Sequence, residues 1–227
     1  DLKDAANHLG VTEGCAAFVA ELCYLSGLVA IDADDTIAPT NSFDIWLTQD
    51  FETKWRNIIS LWLITSRVSG LVGRSDQKFS ALGPELDRVS AANIRSRVLE
   101  ELRANVELSP ALPAFTERMK WLAPLRRGSN MRDDLVKWTL EECEWLGITG
   151  LGALSTFGAE LLEGDGDLGV NAALPTPIDF ITIQSDQTAI APGPLQHDLA
   201  VELSQMADIE SRGAATVYRQ PHVPVDA

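Results

Sequence analysis

Ile178-Asp179-Phe180-Ile181-Thr182-Ile183-Gln184, then Ser185-Asp186-Gln187, then Thr188-Ala189-Ile190-Ala191 follow one another without a break. Residues 180–183 are β-branched and aromatic, the composition of a strand. The polar residues 185–187 suit a turn or a bulge. Pro192-Gly193-Pro194 is a hard breaker. Beyond it Leu195, Leu199, Leu203 and Met206 recur at helical spacing through Asp208. Gly213 closes that stretch, and Thr216-Val217-Tyr218-Arg219 reads as another short strand. The outline is strand, turn, strand, helix, strand: a small α/β layer. Phe180, Ile181 and Ile183 would give the sheet its apolar side, and Leu195, Leu199 and Leu203 the helix face that covers it, since neither layer can bury its apolar side alone.

These residues carry a resemblance. The Gln184, Asp186 and Thr188 run, the following helix, the acidic Ala-Asp-Ile-Glu-Ser segment (207–211) and the closing Tyr218-Arg219 resemble the N-terminal domain of XPB-type DNA-repair helicases. The Ala-Pro-Gly-Pro-Leu run (191–195) and Glu-Ser-Arg-Gly-Ala-Ala-Thr-Val-Tyr-Arg (210–219) are more similar still to a group of actinobacterial helicase-associated proteins that carry this domain without the motor. The match covers about a fifth of the chain, and residues 1–175 resemble the same group more loosely. Turn chemistry alone explains Gln184, Asp186 and Thr188; a functional site built on them is the sharper alternative.

Outward from this stretch, charge divides the chain. Of the 18 Lys and Arg, 15 fall in residues 41–137 against 12 acids, while the two ends hold 3 bases against 21 acids. The net charge is −15. Nucleic acid is repelled by such a chain unless its bases cluster on one face, so a phosphate-binding surface belongs in the middle. No apolar run approaches the roughly 18 residues that span a membrane. Cys15, Cys23 and Cys143 show no metal-ligand spacing and read as small buried hydrophobes, which suits a reducing cytoplasm. The chain starts at Asp1 and stops in Pro-Val-Asp-Ala, and it reads as a piece of something longer.

The expected fold class is α+β and mostly helical, with winged-helix modules ahead of the α/β domain. Residues 1–40 read as a helix-turn-helix with a wing: Leu2, Ala5, Ala6 and Leu9, a turn at Gly10-Val11, Thr12 as N-cap, and a second helix through Phe18, Leu22 and Leu25 to Gly27. Its second helix carries Glu13 and Glu21 and no base, so protein contact or a structural role is favoured over DNA contact. Residues 41–84 form a helical connector and loop. Trp55, Ile59 and Trp62 mark the helix, and residues 66–84 are Gly- and Ser-rich and expected to be solvated, with a basic arm of Arg67, Arg74 and Lys78 as the alternative. Residues 85–170 read as a second module. Ser90 caps a helix bearing Ile94, Val98 and Leu102, residues 149–154 form a reduced wing, and Ser155 or Thr156 caps a last helix. Residues 171–227 are the α/β domain.

No phosphate-binding loop, zinc-protease, nucleophile-elbow or dinucleotide motif occurs, so neither an enzyme nor a cofactor is expected. Glu141, Glu142 and Glu144 read as a solvated helix face. One constellation is basic: Arg118, Lys120, Arg126 and Arg127 flank Trp121, with Arg132 beyond and Arg95, Arg97 and Arg103 on a neighbouring helix. Bases interleaved with an aromatic suit phosphate contact and base stacking. The resemblance implies a non-catalytic, helicase-associated module in DNA repair or DNA transactions. Its expected partner is an XPB-type helicase or another repair protein, with weak DNA contact and no membrane. A winged-helix transcription regulator is the rival, and it needs a basic recognition helix that residues 13–25 lack.

Overall fold

Asp1 starts the first helix from outside it. Its carboxylate accepts the Asp4 backbone N–H, and the Asp4 carboxylate accepts from the N-terminal ammonium, the reciprocal pattern of a capping box. The helix, α1 (Leu2–Leu9), stops at Gly10, and α2 (Glu13–Leu25) begins with Thr12 Oγ1 accepting the Cys15 N–H at 3.2 Å. The antiparallel pair β1 (Val29–Ile31) and β2 (Ile37–Pro39) follows, then α3 (Asn41–Thr48), α4 (Phe51–Ile64) and α5 (Ala91–Ala104). Next come α6 (Leu112–Leu122), α7 (Asn130–Trp145), the short pair β3 (Thr149–Gly150) and β4 (Ala153–Leu154), and α8 (Thr156–Glu163). The computed structural model describes residues 1–33, 36–74, 79–106, 108–122, 130–163, 175–186, 188–213 and 215–219. The chain is α+β and mostly helical, and it divides into two compact units, Asp1–Gly169 and Val170–Ala227.

Within the first unit the order helix, helix, hairpin, helix occurs twice, as α1-α2-β1-β2-α3 and as α6-α7-β3-β4-α8. The two corners share one hydrogen-bond pattern. Gly27 and Gly147 hold φ of 65° and 72°; this left-handed conformation favours glycine. Their N–H groups reach back to Tyr24 and Glu144, and those of Leu28 and Ile148 to Cys23 and Cys143 at 2.9 Å each. This is the Schellman termination of a helix. Thr40 and Ser155 then close both corners alike. Their N–H groups donate to the Leu28 and Ile148 carbonyls, and their hydroxyls donate to the Gly27 and Gly147 carbonyls at 2.5 and 2.7 Å. Ser155 Oγ also accepts the Gly158 N–H, so Ser155 rather than Thr156 caps α8.

The core of this unit lies among α2, α4, α5 and α7. Ile59 and Trp62 on α4, Val98 and Leu102 on α5, and Val136 and Cys143 on α7 are buried. Phe18 on α2 meets Trp145 on α7 with ring centroids 5.5 Å apart, and the Trp55 indole donates to the Leu146 carbonyl at 2.6 Å. Ser90 stands at the start of α5, but its side chain makes no capping bond. The segment between α4 and α5 corrects the expectation of a solvated loop. It carries two 3-10 turns, Ser69–Leu71 and Pro84–Leu86, with Val68, Leu71 and Leu86 buried. Lys78 and the acidic turn after Glu163 lie outside the described residues.

The second unit is a four-stranded antiparallel sheet with one helix. Strand order is β5 (Thr182–Ile183), β6 (Thr188–Ala191), β8 (Thr216–Arg219), β7 (Asp208–Arg212), and α9 (His197–Met206) joins β6 to β7. The acidic segment is thus an edge strand, with a bulge at Glu210. Ala191, Leu203 and Ala207 are buried, and Leu195 and Leu199 are half-buried. Phe180 and Ile183 are exposed, contrary to the core role expected of them. Only two residues of that run pair in the sheet, at its edge, so composition overstated the strand. Among the described residues, no helix is long and apolar enough to cross a membrane.

Candidate functional site

The basic constellation is built on α6, whose buried side is Phe115 and Met119. That leaves Arg118, Lys120 and Trp121 outward. Trp121 is 72% exposed, and the Arg118 guanidinium lies 4.9 Å from its ring centroid. Arg118 also donates to Glu101 at 3.0 Å. Lys120 sits between Glu117 at 2.8 Å and Asp133 at 2.9 Å, and Glu117 foremost, then Asp133, holds its ammonium above the ordinary lysine value. Arg97 and Arg103 are exposed on α5. Arg126 and Arg127 lie outside the described residues.

Two members of the constellation are internal, which corrects their assignment to a phosphate-binding face. Arg95 is 2% exposed. Its guanidinium donates to the carbonyls of Trp62 (3.0 Å), Thr65 (2.6 Å) and Arg67 (2.8 Å) and to Glu142 (3.4 Å). It therefore serves the Trp62 and Thr65 carbonyls at the C-terminus of α4, where carbonyls lack partners within the helix, and the Arg67 carbonyl in the segment beyond it. Arg132 is buried and donates to the Met119 carbonyl. A phosphate cannot reach either side chain without dismantling the core.

Two buried acids, Glu142 and Glu21, hold this core. Glu142, expected on a solvated face, is buried and accepts from the Trp62 indole at 2.6 Å and the Ser69 hydroxyl at 3.0 Å besides Arg95. Burial pushes its carboxyl above the ordinary glutamate value, and Arg95, Trp62 and Ser69 oppose the shift. Burial likewise pulls Arg95 down against Glu142. Glu21, also buried, accepts from Arg67 at 2.5 and 3.1 Å and from the Leu82 N–H at 2.6 Å. Its hydrogen bond raises the Arg67 guanidinium above the ordinary value. Arg74 pairs with Asp134 at 2.9 Å and lies over Trp138. The available signal was position: Glu21 follows Phe18 by three, and Glu142 follows Thr139 by three, each inside its helix's buried stripe.

In the second unit, Gln184, Asp186 and Thr188 come together as a turn. The Gln184 N–H donates to the Thr188 carbonyl at 2.8 Å. Asp186 Oδ1 accepts the Thr188 hydroxyl at 2.6 Å and its N–H at 3.1 Å, with Gln184 Oε1 3.3 Å from the same hydroxyl. The Thr188 hydroxyl, then its N–H, holds the Asp186 carboxyl below the ordinary aspartate value, with Arg219 adding to the effect. Arg219 itself donates to Glu210 at 3.0 Å, and Tyr218 pairs with Ala189 and Ile209 across the sheet. Every polar contact here closes the turn or the hairpin.

A cavity of about 420 Å³ lies between the end of α2, α3 and α4, lined by uncharged residues such as Leu28, Ile45, Trp46, Gln49 and Ile58. Cys143 is buried and Cys15 and Cys23 are half-buried, and burial raises all three thiols above the ordinary value. Unreactive packing groups fit that direction. Among the described residues no group of three or more His, Cys, Asp or Glu side chains is arranged to hold a metal ion. Comparison with protein-family models, curated proteins and solved structures finds no match.

Proposed function

We propose that the chain is a non-catalytic, helicase-associated module of DNA repair or other DNA transactions that works through contact with another protein. In this reading the two helix–helix–hairpin–helix modules are winged helices, and the four-stranded unit is an XPB N-terminal-like domain, as the residues at 184–195 and 210–219 imply. The observation that carries the protein-contact reading is how the bases of the middle region are used. Arg67, Arg95, Arg118 and Lys120 are each engaged by an acid of the same chain. On α2, the second helix of the first module, the acid at Glu21 is itself internal. Phosphate affinity grows with the number of free bases brought to the backbone, and these four are already committed to acids.

One feature favours residual DNA contact: exposed Trp121 under Arg118 is a stacking surface of the kind that holds a single-stranded base. Fluorescence anisotropy with duplex, single-stranded and branched DNA over a salt series tests the reading. The expected result is binding no tighter than the non-specific range, about 10⁻⁴–10⁻⁶ M, lost as salt rises. Any such binding should fall on reversing Arg126 and Arg127 to Glu, with the salt slope flattened by roughly 2. Sequence-specific binding in the range of about 10⁻⁸–10⁻¹¹ M would overturn it in favour of a DNA-binding regulator.

A further inference from the structure

Polar atoms buried without a partner are uncommon in folded chains, and each calls for a cause. Among the described residues there are four: Ser26 Oγ, Trp46 Nε1, Gln49 Oε1 and Glu160 Oε2. The first three belong to residues that line one cavity, the space of about 420 Å³ between the end of α2, α3 and α4. Looseness does not explain the unpaired indole. The Trp46 ring stacks on Phe43, with centroids 6.3 Å apart, and the Lys54 ammonium lies 4.7 Å from its centroid. That ammonium is tied to the Leu47 carbonyl at 3.0 Å, so the ring has fixed neighbours. The other two groups adapt. A serine hydroxyl and a glutamine amide swing about their own side-chain bonds, and both can meet a guest without moving a helix.

The rest of the lining says what kind of guest fits. Leu28, Ile45, Ile58 and Leu61 give it apolar walls, while Ser42, Asn57 and Ser60 are exposed and put polar groups at its rim. Among the described residues that line it, none is charged. An ion leaving water there would find no counter-charge, so the guest is neutral. The Trp46 N–H can only donate and Gln49 Oε1 can only accept, and the two residues stand three positions apart at the end of α3. Their guest must therefore present an acceptor and a donor close together, as an amide edge does. Apolar walls with a few converging polar groups, at this volume, are the usual form of a small-molecule site. We propose that the cavity binds a small uncharged compound with an apolar body and an amide edge, such as a carboxamide or a lactam. Its carbonyl accepts from the Trp46 indole, its N–H donates to Gln49 Oε1, and the Ser26 hydroxyl bonds to either. The inference does not rest on the helicase reading.

Titration of the full chain with benzamide, benzoate and toluene, followed by proton–nitrogen correlation NMR of the indole N–H groups, tests this. The three probes share a ring and differ at its edge: an amide, a charge, or neither. The chain has six tryptophans, and Trp46→Phe identifies the resonance of Trp46. Benzamide should move that resonance saturably and bind about tenfold tighter than either control, the worth of one hydrogen bond. Added salt should leave this binding unchanged, unlike a phosphate contact. Gln49→Leu removes an unsatisfied buried oxygen, so it should leave the melting temperature unlowered while weakening benzamide about tenfold. Ser26→Ala should also weaken benzamide with the melting temperature unlowered. A Trp46 indole that benzamide does not move, up to its solubility limit, overturns the proposal and leaves the cavity to water. Toluene binding as tightly as benzamide overturns it too, because the polar atoms then play no part. So does tighter binding of benzoate, and so does benzamide binding that survives both Gln49→Leu and Ser26→Ala unchanged.

Discussion

Replacing Arg95 should be among the most damaging single changes in the first unit. Its guanidinium serves three carbonyls and the Glu142 carboxylate while lying 5.4 Å from the Trp62 ring centroid. In Arg95→Met all of these acceptors stay buried without it. Breaking a buried pair from one side costs about 3–5 kcal/mol, and underserved carbonyls push the value to the upper end, so about 4–5 kcal/mol is expected. Arg95→Lys keeps the charge but presents a point rather than a fork, and should still cost about 2–3 kcal/mol. Glu142→Gln leaves the Trp62 indole an acceptor but the buried Arg95 without its counter-charge, and should cost about 3 kcal/mol, the lower end of the range for a broken buried pair. The double change Arg95→Met with Glu142→Gln should cost less than the two singles together, by about 1–3 kcal/mol, because neither charge is then left alone. Urea unfolding followed by tryptophan fluorescence is the assay. All six tryptophans, at 46, 55, 62, 121, 138 and 145, lie in Asp1–Gly169, so the signal reports that unit alone. An Arg95→Met protein within about 1 kcal/mol of the wild type, the size of an ordinary surface change, would refute this reasoning.

In the second unit, Leu203→Ala should cost about 2–5 kcal/mol and the half-buried Leu199→Ala under about 2 kcal/mol; hydrogen exchange of residues 188–191 and 216–219 checks the order, and equal effects would count against this packing. A methyl at Gly158 would stand 2.2 Å from the Ile148 carbonyl oxygen, which as backbone cannot yield. Gly158→Ala should therefore lower stability by about 1–3 kcal/mol or more in thermal melts. Asp186 should titrate below the ordinary value of 3.8, by carbon-detected NMR. Its pKa is depressed on folding, so its contribution to stability is present above that value and is lost as pH falls through the folded one. Thr188→Val, which removes the hydroxyl donor, should move the titration up toward 3.8, and an unmoved titration would discount the hydroxyl.

The helices were legible because their apolar stripes are regular: Ile94, Val98 and Leu102, or Trp55, Ile59 and Trp62, are buried at the spacing the sequence shows. Thr12 and both hairpins were legible from local turn and cap chemistry. What failed was long-range or compositional. Residues 66–84 look like a loop, and their anchoring depends on Glu21, whose link to Arg67 spans 46 positions. No local pattern announces such a partner. Arg95 and Glu142 stood in plain view within buried stripes, yet charge type outweighed position in their reading. Asp208-Ile209-Glu210-Ser211-Arg212 was not recognised as a strand because an edge strand tolerates charge, and acids there discourage further pairing. Phe180 and Ile183 failed in the opposite sense: strand-like side chains stand at a short edge where the sheet gives them no cover.

Direct binding of the purified chain to a purified XPB-type helicase, measured by titration calorimetry without nucleic acid, tests the helicase-associated reading most directly. The expected result is a saturable complex that persists at salt concentrations where any DNA binding by the chain has vanished. No heat or complex with the helicase, together with tight and salt-sensitive binding of the chain to DNA, would contradict it.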